Sequence, residues 1–332
     1  MITSFFKTSK PIHYIIFIVV LILVFVYQRI IVGDFEGNFI NSLEEVGYLL
    51  ALMASFFVLI FIVTKNNLTH NNSYAELYFC LFIGLIPYSL ETNSILISNL
   101  FILLALRRIV SLKTKTNIKK KLLDASMWIC FAAIFEPRSI LFLGLLFLAM
   151  AVYSVSQIKN LVIPFCGILI VGILMACHRL LTDNVFPNFF KYIPEISFDT
   201  LSFNDLTVQK STLLFFAIIL FSVVIFLVNG LQKNRLSRPS FSVLIFAVFI
   251  GVFIALLSPI HNLGGCLFAI GPAAIILANF SETTKFRWLS ELIIGLLFIA
   301  VVLQMTLNIS FPIHKTKEIH LYLSLKNQLY VF

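Results

Sequence analysis

From Pro11 to Val32 the chain reads PIHYIIFIVVLILVFVYQRIIV, an apolar run about as long as a bilayer is thick. A helix rising about 1.5 Å per residue needs roughly 20 such residues to cross a hydrocarbon core of about 30 Å. Similar runs recur along the whole chain, and no other feature restricts the fold as strongly. Lipid offers no hydrogen bonds, so each spanning segment must satisfy its own backbone, which leaves helices and closed barrels. Continuous apolar stretches, rather than two-residue alternation, select helices. Eleven spans are predicted, at 12–32, 43–64, 74–90, 92–112, 122–135, 139–156, 161–181, 211–229, 241–260, 263–280 and 289–310. The spans 74–90 and 122–135 are short, and 74–90 with 92–112 is open to another reading as one broken element. Residues 1–332 then make a single integral membrane domain, an all-α polytopic helix bundle. Composition agrees, with 60% hydrophobic and 12% charged residues where soluble chains carry about 25% charged. The 36 phenylalanines suit a surface that faces lipid.

Lysine and arginine in the connections set the orientation. Sixteen of the 24 basic residues fall on the side that holds Lys7 and Lys10, most densely at Arg107, Arg108 and in KTKTNIKKK at 113–121. The acids lean the other way: Asp34, Glu36, Glu44, Glu45, Glu91, Glu136, Asp183, Glu195, Asp199 and Asp205 all fall on the opposite side. The N-terminus is therefore expected in the cytoplasm. The first run is longer than a signal-peptide core and lacks a small-x-small cleavage site, so it reads as an uncleaved span. The net charge of +9 is a topology signal and not a nucleic-acid footprint, because it is dispersed among short loops. The segment 113–121 is expected to orient the chain and touch anionic lipid. The segment 182–210, with aromatic residues among acids and prolines, is expected to lie as a loop in the outer interface. Gly265, Ala269 and Ala273 form a small-residue stripe suited to close helix packing. The five cysteines lie in apolar runs without Cys-x-x-Cys spacing, and are expected to be buried thiols.

Polar residues that interrupt the apolar pattern mark where chemistry can reside. In FAAIFEPRSILFLG, at 131–144, Glu136 and Arg138 flank Pro137 at an outer hairpin tip. Asp34 and Glu36 follow the first span, Glu91 sits at a tight turn, and Arg29 lies one turn inside the first span. His178 and Arg179 end the seventh span; His261 and Asn262 end the ninth. All belong to one leaflet level. Carboxylates there are candidates for a general base or a divalent-cation ligand. Arginine and histidine there are candidates to hold a lipid-linked phosphate. Each residue also has a plainer reading, as a cap or an interface anchor. Glu76, Asp124 and Glu291 are expected near inner helix ends within reach of water, which leaves the span midplanes nearly free of charge. That pattern disfavours a transporter or flippase.

The opening MITSFFKTSKP, the length and the run of spans resemble an uncharacterised family of polytopic membrane proteins from Bacteroidota. That likeness implies the inner membrane of a Gram-negative bacterium and carries no activity. VGDFEGNF, LFIGLIPYSLETNSILISNLFILLALRR and FAAIFEPRSILFLG are similar in placement to the first outer loop, paired spans and next hairpin of GT-C glycosyltransferases. The resemblance implies catalytic Asp34 or Glu36 and a polyprenyl-phosphate sugar bound by Glu91, Glu136, Arg138, His178, Arg179, His261 and Asn262. The first outer loop, Gly33 to Ser42, is shorter than in many such enzymes. The competing expectation is a non-enzymatic membrane subunit of an envelope assembly or secretion complex.

Overall fold

The computed structural model describes residues 5–32, 39–86, 90, 92–183, 213–221, 224, 238–257, 263–284 and 287–310. Among these residues every regular element is helical. The helices are α1 (Pro11–Val26), α2 (Phe39–Lys65), α3 (Tyr74–Leu85), α4 (Asn93–Val110), α5 (Ile118–Phe135) and α6 (Phe142–Val152). They continue with α7 (Ile163–Asp183), α8 (213–221), α9 (Arg238–Leu256), α10 (Leu267–Thr283) and α11 (Arg287–Ser310). Each predicted apolar run therefore contains a helix. Among the described residues seven helices are long and apolar enough to cross a membrane. Together with their outward apolar side chains they make the chain a multi-pass membrane protein.

The core forms around α3 and α10. Every residue of α3 is buried, as is every residue of α10 from Leu267 to Phe280. The two pack together, with α1, α2 and α11 against α3, and α4 and α9 against α10. Aromatic contacts join these layers: Phe56 of α2 meets Phe79 of α3 at 6.1 Å, and Phe215 of α8 meets Phe82 of α3 at 5.2 Å. Of the small-residue stripe, Ala269 of α10 packs closely on Gly251 of α9. A side-chain carbon at position 251 would stand 2.7 Å from the Ala269 backbone nitrogen, so only glycine allows this approach. At the periphery α7 rests mainly on α5 and exposes Phe165, Leu169 and Ile173.

Several boundaries shift from the sequence pattern. The run at 74–90 yields a helix of 12 residues, about 18 Å long and too short to cross about 30 Å of hydrocarbon. The α3 and α4 helices are separate elements. α5 starts at Ile118, within the lysine-rich segment, so its first turn carries Lys119, Lys120 and Lys121. The hairpin tip at 136 is sharp: Phe135 ends α5, Glu136 is extended, and Pro137–Leu141 forms a 3₁₀ turn leading into α6. Proline begins that turn because its missing N–H has no helical carbonyl to bond there. Two cysteine expectations fail. Cys80, Cys130 and Cys266 are buried, whereas Cys166 and Cys177 are exposed on α7, the helix with the least packing around it.

Two ends of the bundle are distinguished by their side chains. Ser98 of α4 donates to the Ala132 carbonyl of α5 at 3.1 Å, which fixes the register of that antiparallel pair. Asn93 and Glu136 lie about 6–8 Å beyond this bond in the same direction. They therefore share one end, with the 3₁₀ turns Pro137–Leu141 and Leu263–Cys266. The opposite end carries Lys65, Arg107, Arg108 and the lysine-rich connection between α4 and α5. There Arg107 stacks on Phe61 at 4.1 Å and Arg108 pairs with Asp124 at 2.9 Å.

Candidate functional site

The geometry of the non-lysine end begins with a change of helix type. After Val26 the first helix widens into a π-helical turn, Tyr27–Val32. Widening re-aims successive side chains, and such turns occur often at functional sites. Here three consecutive residues reach four different helices. Tyr27 Oη donates to the Met305 carbonyl of α11 at 2.5 Å. Gln28 Nε2 donates to the carbonyls of Ile83 at 3.0 Å and Ile86 at 3.3 Å, while the Leu90 N–H donates to Gln28 Oε1 at 3.2 Å. Gln28 thus serves the backbone where α3 stops, and non-helical backbone survives at membrane depth only with such partners.

Arg29 turns into the bundle. Its Nη1 donates to Glu45 Oε1 of α2 at 3.2 Å, and its Nη2 donates to Asn93 Oδ1 at the start of α4. The guanidinium lies 5.6 Å from the Phe25 ring centre and 5.4 Å from that of Tyr48. The Arg29 and Glu45 side chains retain 12% and 22% exposure, so the pair is largely withdrawn from solvent and weakly screened. Glu45 Oε2 is buried and accepts no hydrogen bond. Two rings, a carboxylate and an amide therefore surround the cation.

At the same end Glu136 and Arg138 pair at 3.5 Å, each with 13% side-chain exposure. Burial raises the Glu136 carboxyl above its ordinary value, and the Arg138 charge and backbone bond oppose that shift. The hairpin tip is therefore a half-buried ion pair and not two solvated charges. His178 and Arg179 are exposed on α7, the helix packed mainly on α5. Asp34, Glu36, Glu91, His261 and Asn262 lie outside the described residues, as does most of 182–210. In sequence Asp34 and Glu36 come two and four residues after Val32, and Leu263, one residue past Asn262, opens a turn packed on α4 and α9.

The chain matches no family model, no curated protein and no solved structure. Function must therefore be argued from the side chains. Among the described residues no three of His, Cys, Asp and Glu come together as metal ligands. An apolar groove of about 520 Å³ runs beside α8 along α11, lined by Leu214, Leu292, Gly295, Leu296, Ile299 and Leu303. Its α11 residues recur at helical spacing and end two residues before Met305, the acceptor for Tyr27.

At the lysine-rich end Glu76 departs from expectation. It is 2% exposed, in the first turn of α3, and not within reach of water. Ser73 Oγ, just before it, lies 3.2 Å from Nδ1 of buried His13. Neither Glu76 Oε2 nor His13 Nε2 has a hydrogen-bond partner among the described residues. Nearby Glu282 of α10 pairs with His70 at 3.0 Å and accepts from Asn72 at 3.3 Å, tying α10 to the connection before α3. Sequence reasoning singled out Arg29 but missed Gln28 and Asn93, and it counted Glu45 only as an outer charge. The available signal was a Gln-Arg pair inside an apolar run, since two such groups in lipid require partners.

Proposed function

We propose that the chain acts on a lipid-linked sugar phosphate as a GT-C-like glycosyltransferase, at the end of the bundle that holds Arg29, Glu45, Asn93, Glu136 and Arg138. The setting is a bacterial inner membrane, with the N-terminus cytoplasmic. The observation that carries this reading is the π-helical turn. It sets a guanidinium close to Phe25 and Tyr48, against Glu45 and Asn93, a few residues before Asp34 and Glu36 in the chain. A phosphate needs such a cation, and a transferase needs an acid beside it. The apolar groove on α11 supports the same reading, since it accommodates a hydrocarbon chain and ends beside the Tyr27–Met305 bond.

In this reading Asp34 or Glu36 takes the proton from an acceptor hydroxyl. The hydroxyl oxygen bonds to the anomeric carbon, and the carbon–oxygen bond to the lipid phosphate breaks. Arg29 and Arg138 stabilise the charge that collects on the departing phosphate. The test compares lipid-linked glycans by mass spectrometry in cells carrying the native chain, Asp34→Asn, Glu36→Gln or the double variant. Loss of one glycan with normal membrane accumulation supports the transferase. Unchanged glycans in all three variants refute it and leave the reading as a subunit of an envelope assembly.

A second reading, transport, is favoured by Glu76 and His13, two buried ionisable groups with unbonded polar atoms. Buried ionisable side chains in spanning bundles commonly mark ion pathways. A Glu76→Gln variant that abolishes function while Asp34→Asn and Glu36→Gln do not would place transport first.

A further inference from the structure

The connection between α4 and α5 divides its basic residues into two groups. Arg107 is stacked on Phe61, Arg108 is paired with Asp124, and Lys121 Nζ donates to the Ser111 carbonyl at 2.6 Å and to Thr114 Oγ1 at 2.7 Å. These three serve the fold. The side chains of Lys113, Lys115, Lys119 and Lys120 make no hydrogen bond or ion pair among the described residues. Asp124, the nearby acid, is already engaged by Arg108.

The segment that presents these lysines is built rather than slack. Ser111–Thr114 forms a 3₁₀ turn, and Thr114 Oγ1 also lies 3.0 Å from Thr116 Oγ1. Lys115 and Asn117 adopt left-handed conformations, with φ of 53° and 49°. Non-glycine residues pay for that conformation in strain unless the surroundings hold it. Here the Lys121 tether to Ser111 and Thr114 closes the segment on itself. A solvated charge run needs none of this.

We propose that this tethered segment is a binding site for the headgroup of an anionic membrane lipid, with Lys115, Lys119 and Lys120 as its ligands and Thr114 and Lys121 as positioning residues. The occupant is lipid because the segment joins two helices that enter the membrane beside it. Four unpaired cations with no free acid among the described neighbours complement a phosphate-rich surface. The site stands apart from the Arg29 cluster, which is at the other end of the bundle, and does not depend on the transferase reading.

The test uses the full-length chain purified in detergent. Retained phosphatidylglycerol is counted by native mass spectrometry, and binding is titrated against phosphatidylcholine as the zwitterionic control. Each lysine near an anionic surface contributes about a fivefold affinity gain, so Lys115→Gln/Lys119→Gln/Lys120→Gln is expected to lose affinity on the order of 100-fold. Thr114→Val leaves every charge in place and removes one anchor of the tether. It is expected to lower affinity severalfold, with the phosphatidylcholine result unchanged. An unaltered affinity in the triple variant overturns the site. Loss in the triple variant with full affinity in Thr114→Val also overturns it, because that pattern is diffuse surface attraction. Because the three lysines are exposed, melting in phosphatidylcholine alone should match the native chain and show that the fold persists.

Discussion

Replacing Gln28 by Met tests whether one side chain holds the break after α3. The substitution keeps the length and much of the volume of the side chain, so cavity terms stay small. It removes two donated bonds, at 3.0 and 3.3 Å, and the bond accepted from the Leu90 N–H at 3.2 Å. A satisfied hydrogen bond contributes about 1 kcal/mol net, and a buried N–H left without a partner costs about 1–3 kcal/mol. The Leu90 amide is buried. The expected loss is about 3–5 kcal/mol on adding two lost bonds to one stranded amide. Measured by thermal or SDS unfolding in detergent, that loss is large against a typical stability of about 5–15 kcal/mol. Because Gln28 adjoins Arg29, the variant should also disturb the Arg29–Glu45 pair, visible as reduced coupling between those two residues. Gln28→Met within about 0.5 kcal/mol of the native chain would refute the reasoning.

Gly251→Val should push α9 from α10, since the added carbon meets the Ala269 backbone at 2.7 Å; overpacking of this kind costs about 1–3 kcal/mol in unfolding assays. Arg29→Met and Glu45→Met should each destabilise by about 3–5 kcal/mol by stranding a buried charge. The double variant should recover much of that loss, and strictly additive losses would contradict a coupled pair. The raised Glu136 carboxyl means the folded state binds its proton more tightly than the unfolded state does. This group's contribution is therefore most favourable below its ordinary unfolded value and is lost as pH rises through the folded value. Glu136→Gln should remove that part of the stability–pH curve, as judged by melting temperatures across pH.

The helices were legible because lipid imposes one rule on every span, and a run such as Ile12–Val32 meets it residue by residue. The small stripe at Gly265, Ala269 and Ala273 was equally readable, since close approach needs small side chains whatever lies opposite. What lay opposite was not readable: Gly251 is one glycine among 13, and tertiary packing alone selects it. The short α3 was hidden for a related reason. Its apolar letters continue past Leu85, and it stops where Gln28, 55 residues before Ile83, receives the chain end. Arg29 was visible as an anomaly in its span, but its partners depended on a π-helical turn that composition does not encode. Glu76 looked accessible by position, whereas the packing of α1, α2 and α10 around α3 buries it. The candidate site was therefore readable as a level in the membrane and not as a set of contacts.

The central claim is that the Arg29–Glu45 end and the lysine-rich end face opposite sides of the membrane, with the lysines in the cytoplasm. Single cysteines at the exposed positions Glu44 and Lys119, with Cys166 and Cys177 replaced by Ser, can be challenged in intact cells with a membrane-impermeant maleimide. The account predicts that position 44 is labelled from outside and position 119 only after permeabilisation. Labelling of position 119 in intact cells, or of both positions alike, would contradict it.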